Sequence, residues 1–418
     1  MKLTLENVRG FAGKHSLNIR PLTLLIGENS SGKTTLLSTL FAALQSDFPT
    51  ADGFNRAPFE LGTFDTIATY RGGKYGRAPT FSIGWESQGK QQNFLKADFR
   101  SQLGIPKLTH VELRNRDISL VGDLETGEWL LEEMHGKTSS FTLEFERGRS
   151  FALGEITFQI FRQLQRQDSG TTEGLAQDAF DKVYRLISWY HENRPRVTAL
   201  APLRTRPHRT YDELIEEFKP EGDHVPLVLA RILSGEGSPD KQVQLALNSF
   251  GSSSGLFDSL KVKRMGRHPS DPFQLRVKGA GPDANLVDVG YGVSQALPII
   301  VDSILAPKGQ IVLIQQPEVH LHPKAQAALG TFFSELVRDT DKRYVIETHS
   351  DFLVDRVRMA IASGNMSSSD VNIAFLQRDG LDVTIHELQL DALGNVVDPP
   401  GKYREFFLEE ETRLLFRG

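Results

Sequence analysis

The residues with chemistry in their spacing begin at Gly27. Gly27-Glu28-Asn29-Ser30-Ser31-Gly32-Lys33-Thr34-Thr35 fits G-x-x-x-x-G-K-[ST], placed between an apolar strand-like run and a leucine-striped helical run. Glycines 27 and 32 let the backbone curl so that its N–H groups face phosphate oxygens. In that arrangement Lys33 reaches the β- and γ-phosphates, the Thr34 hydroxyl ligates Mg²⁺, and the helix N-terminus adds positive potential. A chance glycine turn would need neither flanking element.

Three further segments carry polar groups to places where such a ligand would be met. In "DVGYGVSQALP", residues 288–298, Gly292, Ser294 and Gln295 open a helix, which is an anion-binding start or a simple cap. "IVLIQQPEVHLHP", residues 311–323, is a buried strand running into a turn. "VIETHS" delivers Glu347 and His349 to the end of another strand. A histidine after a strand is usually structural. One on a neighbouring strand, 33 residues after Gln316, is better explained as a γ-phosphate sensor.

The elements that must hold these residues follow from periodicity. Residues 3–8 alternate, "PLTLLIG" at 21–27 reads as a buried strand, and Leu36, Leu37, Leu40 and Leu44 stripe one helical face. "TFSIGWE", "NFLKADF", "LTHVELR", "SFTLEFE" and "FALGEITF" spell an antiparallel meander. A helix is expected over about 175–191, broken helical segments over 210–258, and two strands after 259. Helices near 292–305 and 323–338 bracket the 310–315 strand; "RYVIE" leads to a helix capped by Ser350, and a last hairpin turns at Asp379-Gly380. No heptads are sustained, so no long coiled coil is encoded.

Composition bounds the rest. The 418 residues are 39% apolar and 24% charged, as in globular α/β proteins, and exceed the usual single-domain length. The formal net charge of −5 excludes a surface that is basic all over, so nucleic-acid binding would need a local patch. With no cysteine, thiolate metal sites, disulfides and cysteine nucleophiles are excluded, which fits a reducing cytoplasm. The N-terminus lacks the apolar region of a signal peptide, and no run is long enough for a membrane span.

Two basic stretches stand out. Residues 193–212 hold Arg194, Arg196, Arg204, Arg206, Arg209 and His208, read either as a patch for nucleic acid or an acidic partner, or as a loop neutralised by Glu192 and Asp212. "KVKRMGRHP", 261–269, reads as one solvated strand face. His320 and His322 lack an acidic or cysteine companion at ligand spacing, so a zinc site is not expected. "YREFFLEEETRLLF" near the C-terminus has helical spacing and reads as a segment packed on the core.

In their order, "LTLENVRGFAGKHSLNIRPLTLLIGENSSGKTTLL", "VGYGVSQALP", "QQPEVHLHP" and "ETHSDFLVDRV" resemble the ABC-type ATPase heads of the RecF, SMC and OLD kind, and short bacterial predicted ATPases of anti-phage or genome-maintenance operons. The resemblance implies an α/β P-loop NTPase head: a mixed central sheet with helices plus an antiparallel meander. Its lobes would span about 1–165 and 259–418, with a helical segment between. It implies ATP and Mg²⁺ as ligands, and a homodimer in which Lys33 and Thr34 of one subunit face Gly292 and Ser294 of the other. It further implies a switch acting on DNA or on an effector, such as a nuclease on another chain.

In the family's pattern Gln315 takes the place of the Mg²⁺-side acid and Gln316 that of the residue polarising the attacking water. A neutral amide cannot accept the proton, and loss of one general base removes ~10²- to 10⁴-fold in rate. Three readings stay open: slow hydrolysis by positioning alone, Glu318 or Glu347 acting as the base, or an ATP-gated clamp that scarcely turns over.

Overall fold

The computed structural model describes residues 1–87, 93–133, 138–142, 159, 173–212, 215–235, 237–268, 270–403 and 405. The strand expected over 151–158 and the C-terminal helical stretch after 405 lie outside them. The chain divides into two compact units: Met1–Ile19, Asn29–Val197 and Leu376–Ile385 form the first, and Arg20–Glu28, Thr198–Phe375 and His386–Gly418 the second.

The first unit is built on one antiparallel sheet of eight strands. In spatial order they are Thr138–Thr142, Glu128–Glu133, Ile118–Asp123, Ile105–Arg114, Phe94–Gln102, Thr80–Glu86, Lys2–Val8 and Phe11–Asn18. Alternation sets which face is buried: Leu3, Leu5, Phe81, Ile83, Trp85, Leu95, Ala97 and Phe99 are all inside. Phe81 lies directly opposite Phe99, and their rings stack 5.1 Å apart. Such cross-strand aromatic pairs fix register as well as adding contact area. Gly122 has a specific reason to be glycine, because a Cβ there would lie 2.3 Å from the Trp129 ring that crosses it. The helix Glu173–Asn193 buries Val183, Leu186, Ile187 and Tyr190, the last with its ring 5.7 Å from Trp85.

The second unit holds most of a seven-stranded sheet in the order Val197–Leu200, Ile311–Gln315, Arg343–Glu347, Leu22–Gly27, Val371–Asp379, Asp382–Leu390 and Val396–Val397. Its middle is parallel: Ile311–Gln315 pairs with Arg343–Glu347, which pairs with Leu22–Gly27. Continuous apolar runs such as "IVLI" are what fully buried parallel strands require. The helices Tyr291–Leu305, Pro323–Asp339 and Asp351–Ala362 supply Ile299, Ile300, Phe333, Leu353 and Val357 to the same core as Leu24, Ile314 and Ile346. Some helix ends are closed by side chains. Lys342 Nζ donates to the carbonyls of Ser303 and Ile304 at 3.1 and 2.6 Å, and Ser350 Oγ accepts from Leu353 N at 3.1 Å.

The segment 210–258 contains two helices, Val225–Ser234 and Ser238–Ser254, with no extended coil between or beyond them among the described residues. A small sheet of Ser259–Arg264, Phe273–Lys278 and Ala284–Asn285 follows. Among the described residues no helix is long and apolar enough to cross a membrane.

Candidate nucleotide site

The strand Leu22–Gly27 ends at Gly27 with φ 141°, and the chain passes through Glu28, Asn29 and Ser30, all exposed. Ser30 (φ 60°) and Gly32 (φ 96°) both take the left-handed conformation. At Gly32 the requirement is double, since a Cβ would also lie 2.8 Å from Phe11 Cζ. Within the first unit, Arg378 Nη1 donates to the Ser30 carbonyl at 3.0 Å and pins the loop.

The helix Lys33–Ala43 then begins with no side-chain cap and no acidic residue in its first turn. An N-terminus left in that state is a place for an anion. The Ser31 hydroxyl is fully buried with no hydrogen-bond partner, a donor that a phosphate oxygen would satisfy. Lys33 is 3% exposed, while Thr34 is open to solvent. The Thr35 hydroxyl accepts from Arg9 Nη1 at 3.4 Å. Arg9 (φ 47°) also donates to the carbonyls of Leu61 and Thr66, and burial lowers its pKa. Sequence reasoning passed over Arg9; its one signal was a charge in the tight turn before Gly10.

In the second unit, strand register collects the other candidates. Gln315 lies opposite Glu347, and Glu347 opposite Leu25, two residues before Gly27. The side chains of Gln315 and Glu347 are buried at 6% and 4% exposure. Gln316 extends the ladder by one bond, its N–H donating to the Glu347 carbonyl at 2.8 Å, and turns the chain at φ 42°. A non-glycine residue held there is strained and needs support from its surroundings.

Glu318 accepts from Thr348 Oγ1 at 2.8 Å and from His349 N at 2.7 Å, one donor on each carboxylate oxygen. Burial raises its pKa, and the hydrogen bonds and the charge of Arg204 oppose that rise. The turn after Gln316 is thereby tied to the turn that carries His349, whose side chain is exposed.

Arg204 is the site residue that sequence reasoning placed elsewhere, among surface arginines. It is 4% exposed, and its Nη2 and Nη1 donate to the carbonyls of Gln315 and Gln316 at 2.8 and 3.4 Å. Burial lowers its pKa to about 10, against the favourable charge of Glu318. The strand Val197–Leu200, neighbour of Ile311–Gln315, delivers it there.

Gln295 donates from Nε2 to the Arg204 carbonyl at 3.4 Å and is 2% exposed, so its amide faces inward. Ser294, at 6% exposure, donates to the Tyr291 carbonyl at 2.8 Å. Gly292 closes against the turn, where a Cβ would lie 3.0 Å from the His320 carbonyl, and the Tyr291 and His320 rings meet edge to face. Gln315, Gln316, Glu318, Glu347 and His349 are thus gathered in one unit with Arg204 and Gln295. The loop from Asn29 to Thr35 belongs to the other.

Comparison with known proteins places the chain in a family. A family model described as AAA ATPase domain matches residues 138–354, and one described as AAA domain matches residues 2–219. A curated protein, the OLD nuclease of Thermus scotoductus, is 24% identical over 353 residues, covering 81% of this chain and 57% of that protein. An SMC head bound to the C-winged helix domain of ScpA aligns at a TM-score of 0.46 and 12% identity, over 93% of this chain and 97% of the other. The SMC head domain from Thermotoga maritima aligns at 0.43 and 11%, over 93% and 98%.

Proposed function

The chain belongs to the family of AAA ATPase domains, and on that premise we propose that it is an ATP-driven switch: it binds Mg·ATP at the loop Gly27–Thr35, pairs with a second copy around the nucleotide, and hydrolyses slowly. The observation that carries this reading is the loop itself. A glycine-shaped turn, a helix start without a side-chain cap and a buried Ser31 hydroxyl without a partner together fit phosphate oxygens. Lys33 neutralises phosphate charge, and Thr34 offers its hydroxyl to the cation. Thr34 and Gln315 would be the residues to hold the cation, Gln315 without charge, and the cation would supply neutralisation of phosphate charge. Gln316 would orient the attacking water without accepting its proton.

The switch would act through Gly292 and Ser294 meeting the nucleotide of a second subunit. Its output would be DNA engagement or an effector on another chain, in defence or genome maintenance. The similarity to OLD nuclease supports an association with nuclease action, although the alignment spans only 57% of that protein. The neutral pair Gln315-Gln316 favours a second reading of the same site, an ATP sensor that binds and releases nucleotide almost without turnover.

Calorimetry of ATP binding to the wild type and to Lys33→Ala tests the premise. Removing the ammonium is expected to abolish tight binding. Unchanged affinity would refute the assignment of this loop.

A further inference from the structure

The end of the first basic stretch and the whole of the second, about fifty residues apart in sequence, meet in the second unit on a single strand, Phe273–Lys278. Ser259–Arg264 pairs along one edge of it. On the other edge Tyr211 forms an antiparallel bridge to Phe273, at 2.8 and 3.0 Å, and brings the loop of Arg206 and His208 with it. His208 stacks on Tyr211, which stacks on Phe273.

Alternation then sorts the hairpin's side chains. Leu260, Phe273, Leu275 and Val277 are buried in the core of the unit. The opposite parity presents Ser259, Lys261, Lys263, Gln274, Arg276 and Lys278, without one apolar side chain. Lys261 lies directly across from Arg276. Like charges at facing positions destabilise a sheet unless an anion comes between them. Asp283 answers part of this, 3.1 Å from Lys261, with its backbone carbonyl on Arg276. Residues 259–278 still carry six Lys and Arg against one Asp, in a chain whose formal net charge is −5.

We propose that this hairpin face binds the phosphate backbone of double-stranded nucleic acid. Cations two residues apart on a strand stand about 6.8 Å apart, in two rows about 4.8 Å from each other. An acidic protein surface is the weaker fit, because protein interfaces bury an apolar core and are depleted in lysine, and this face has no apolar side chain to bury. Binding here does not depend on the nucleotide site, so either reading can fail without the other.

The test is fluorescence anisotropy of the full chain, without nucleotide, on a labelled mixed-sequence DNA duplex of about 30 base pairs across a salt series. The wild type is expected to bind with a log–log salt slope near −3, for about three to four neutralised phosphates. Lys263→Ala with Lys278→Ala should weaken binding about tenfold and make the slope shallower by about two. Asp283→Asn should strengthen binding, a gain that misfolding does not produce. Absence of duplex binding, equal binding by the double variant, or displacement of the duplex by polyglutamate at matched charge would each overturn the proposal.

Discussion

Gln316 occupies the strained position at the end of its strand, and Glu318 is the nearest carboxylate along the turn. Each Glu318 oxygen already accepts a donor, from Thr348 and from the His349 backbone. A carboxylate has further lone pairs to offer, but burial and these two donors fasten Glu318 to the His349 turn, which argues for a role in holding that turn. Glu347 is buried at the strand end. On this view no carboxylate among the described residues is placed to take the proton of the attacking water, and Gln316→Glu supplies one. Single-turnover ATP hydrolysis should rise about 10²-fold in that variant. Glu318→Gln and Glu347→Gln, assayed alongside, should leave the low wild-type rate within a few-fold. A collapse of turnover in either would show that the base is already present, and no gain in Gln316→Glu would remove that residue from the reaction.

At the scale of elements, the loop after Val197–Leu200 shows what a sequence can and cannot disclose. Strands and helices were readable because burial marks the sequence: the parallel core strands are unbroken apolar runs, and the leucines of Lys33–Ala43 signalled a helix, although the structure buries it on nearly every side and not along one stripe. The phosphate loop was readable because its glycines answer a backbone need that few other residues meet. Arg204 was not, since a proline- and arginine-rich segment has the composition of a solvated loop whether or not one arginine turns inward. Partner choice was equally hidden, as in the pairing of Lys2–Val8 with Thr80–Glu86, because no local pattern states which distant strand completes a sheet. The inward turn of Arg204 has a measurable consequence. Replacing it by methionine leaves the Gln315 and Gln316 carbonyls without these donors, and should cost about 2 kcal/mol of stability after relief of the buried charge. Arg206→Met, two residues on and exposed, should stay within about 0.5 kcal/mol. Urea unfolding of the two variants decides this, and equal midpoints would mean that the Arg204 contacts contribute nothing.

For the whole molecule, the proposed switch needs a second copy, and the residues offered to it are not yet displayed. Ser294 donates to its own helix start, Gln295 is turned toward Arg204, and Gly292 is closed against the His320 turn. One rotation would turn the Ser294 hydroxyl from the Tyr291 carbonyl toward a phosphate at this helix N-terminus, a small rearrangement for a ligand to induce. Pairing would then be weak without ATP and favoured with it, since a ligand stabilises the state that binds it better. Ser294→Arg places a long cation where a phosphate must approach closely, and should block pairing while ATP binding by each subunit persists. Sedimentation velocity should show the wild type shifting toward dimer with ATP and Lys33→Ala failing to shift for want of nucleotide. Ser294→Arg should remain monomeric although calorimetry still records ATP binding. If that variant dimerises as the wild type does, the segment from Tyr291 to Gln295 is not the face that meets the second subunit, and the switch would have to close elsewhere.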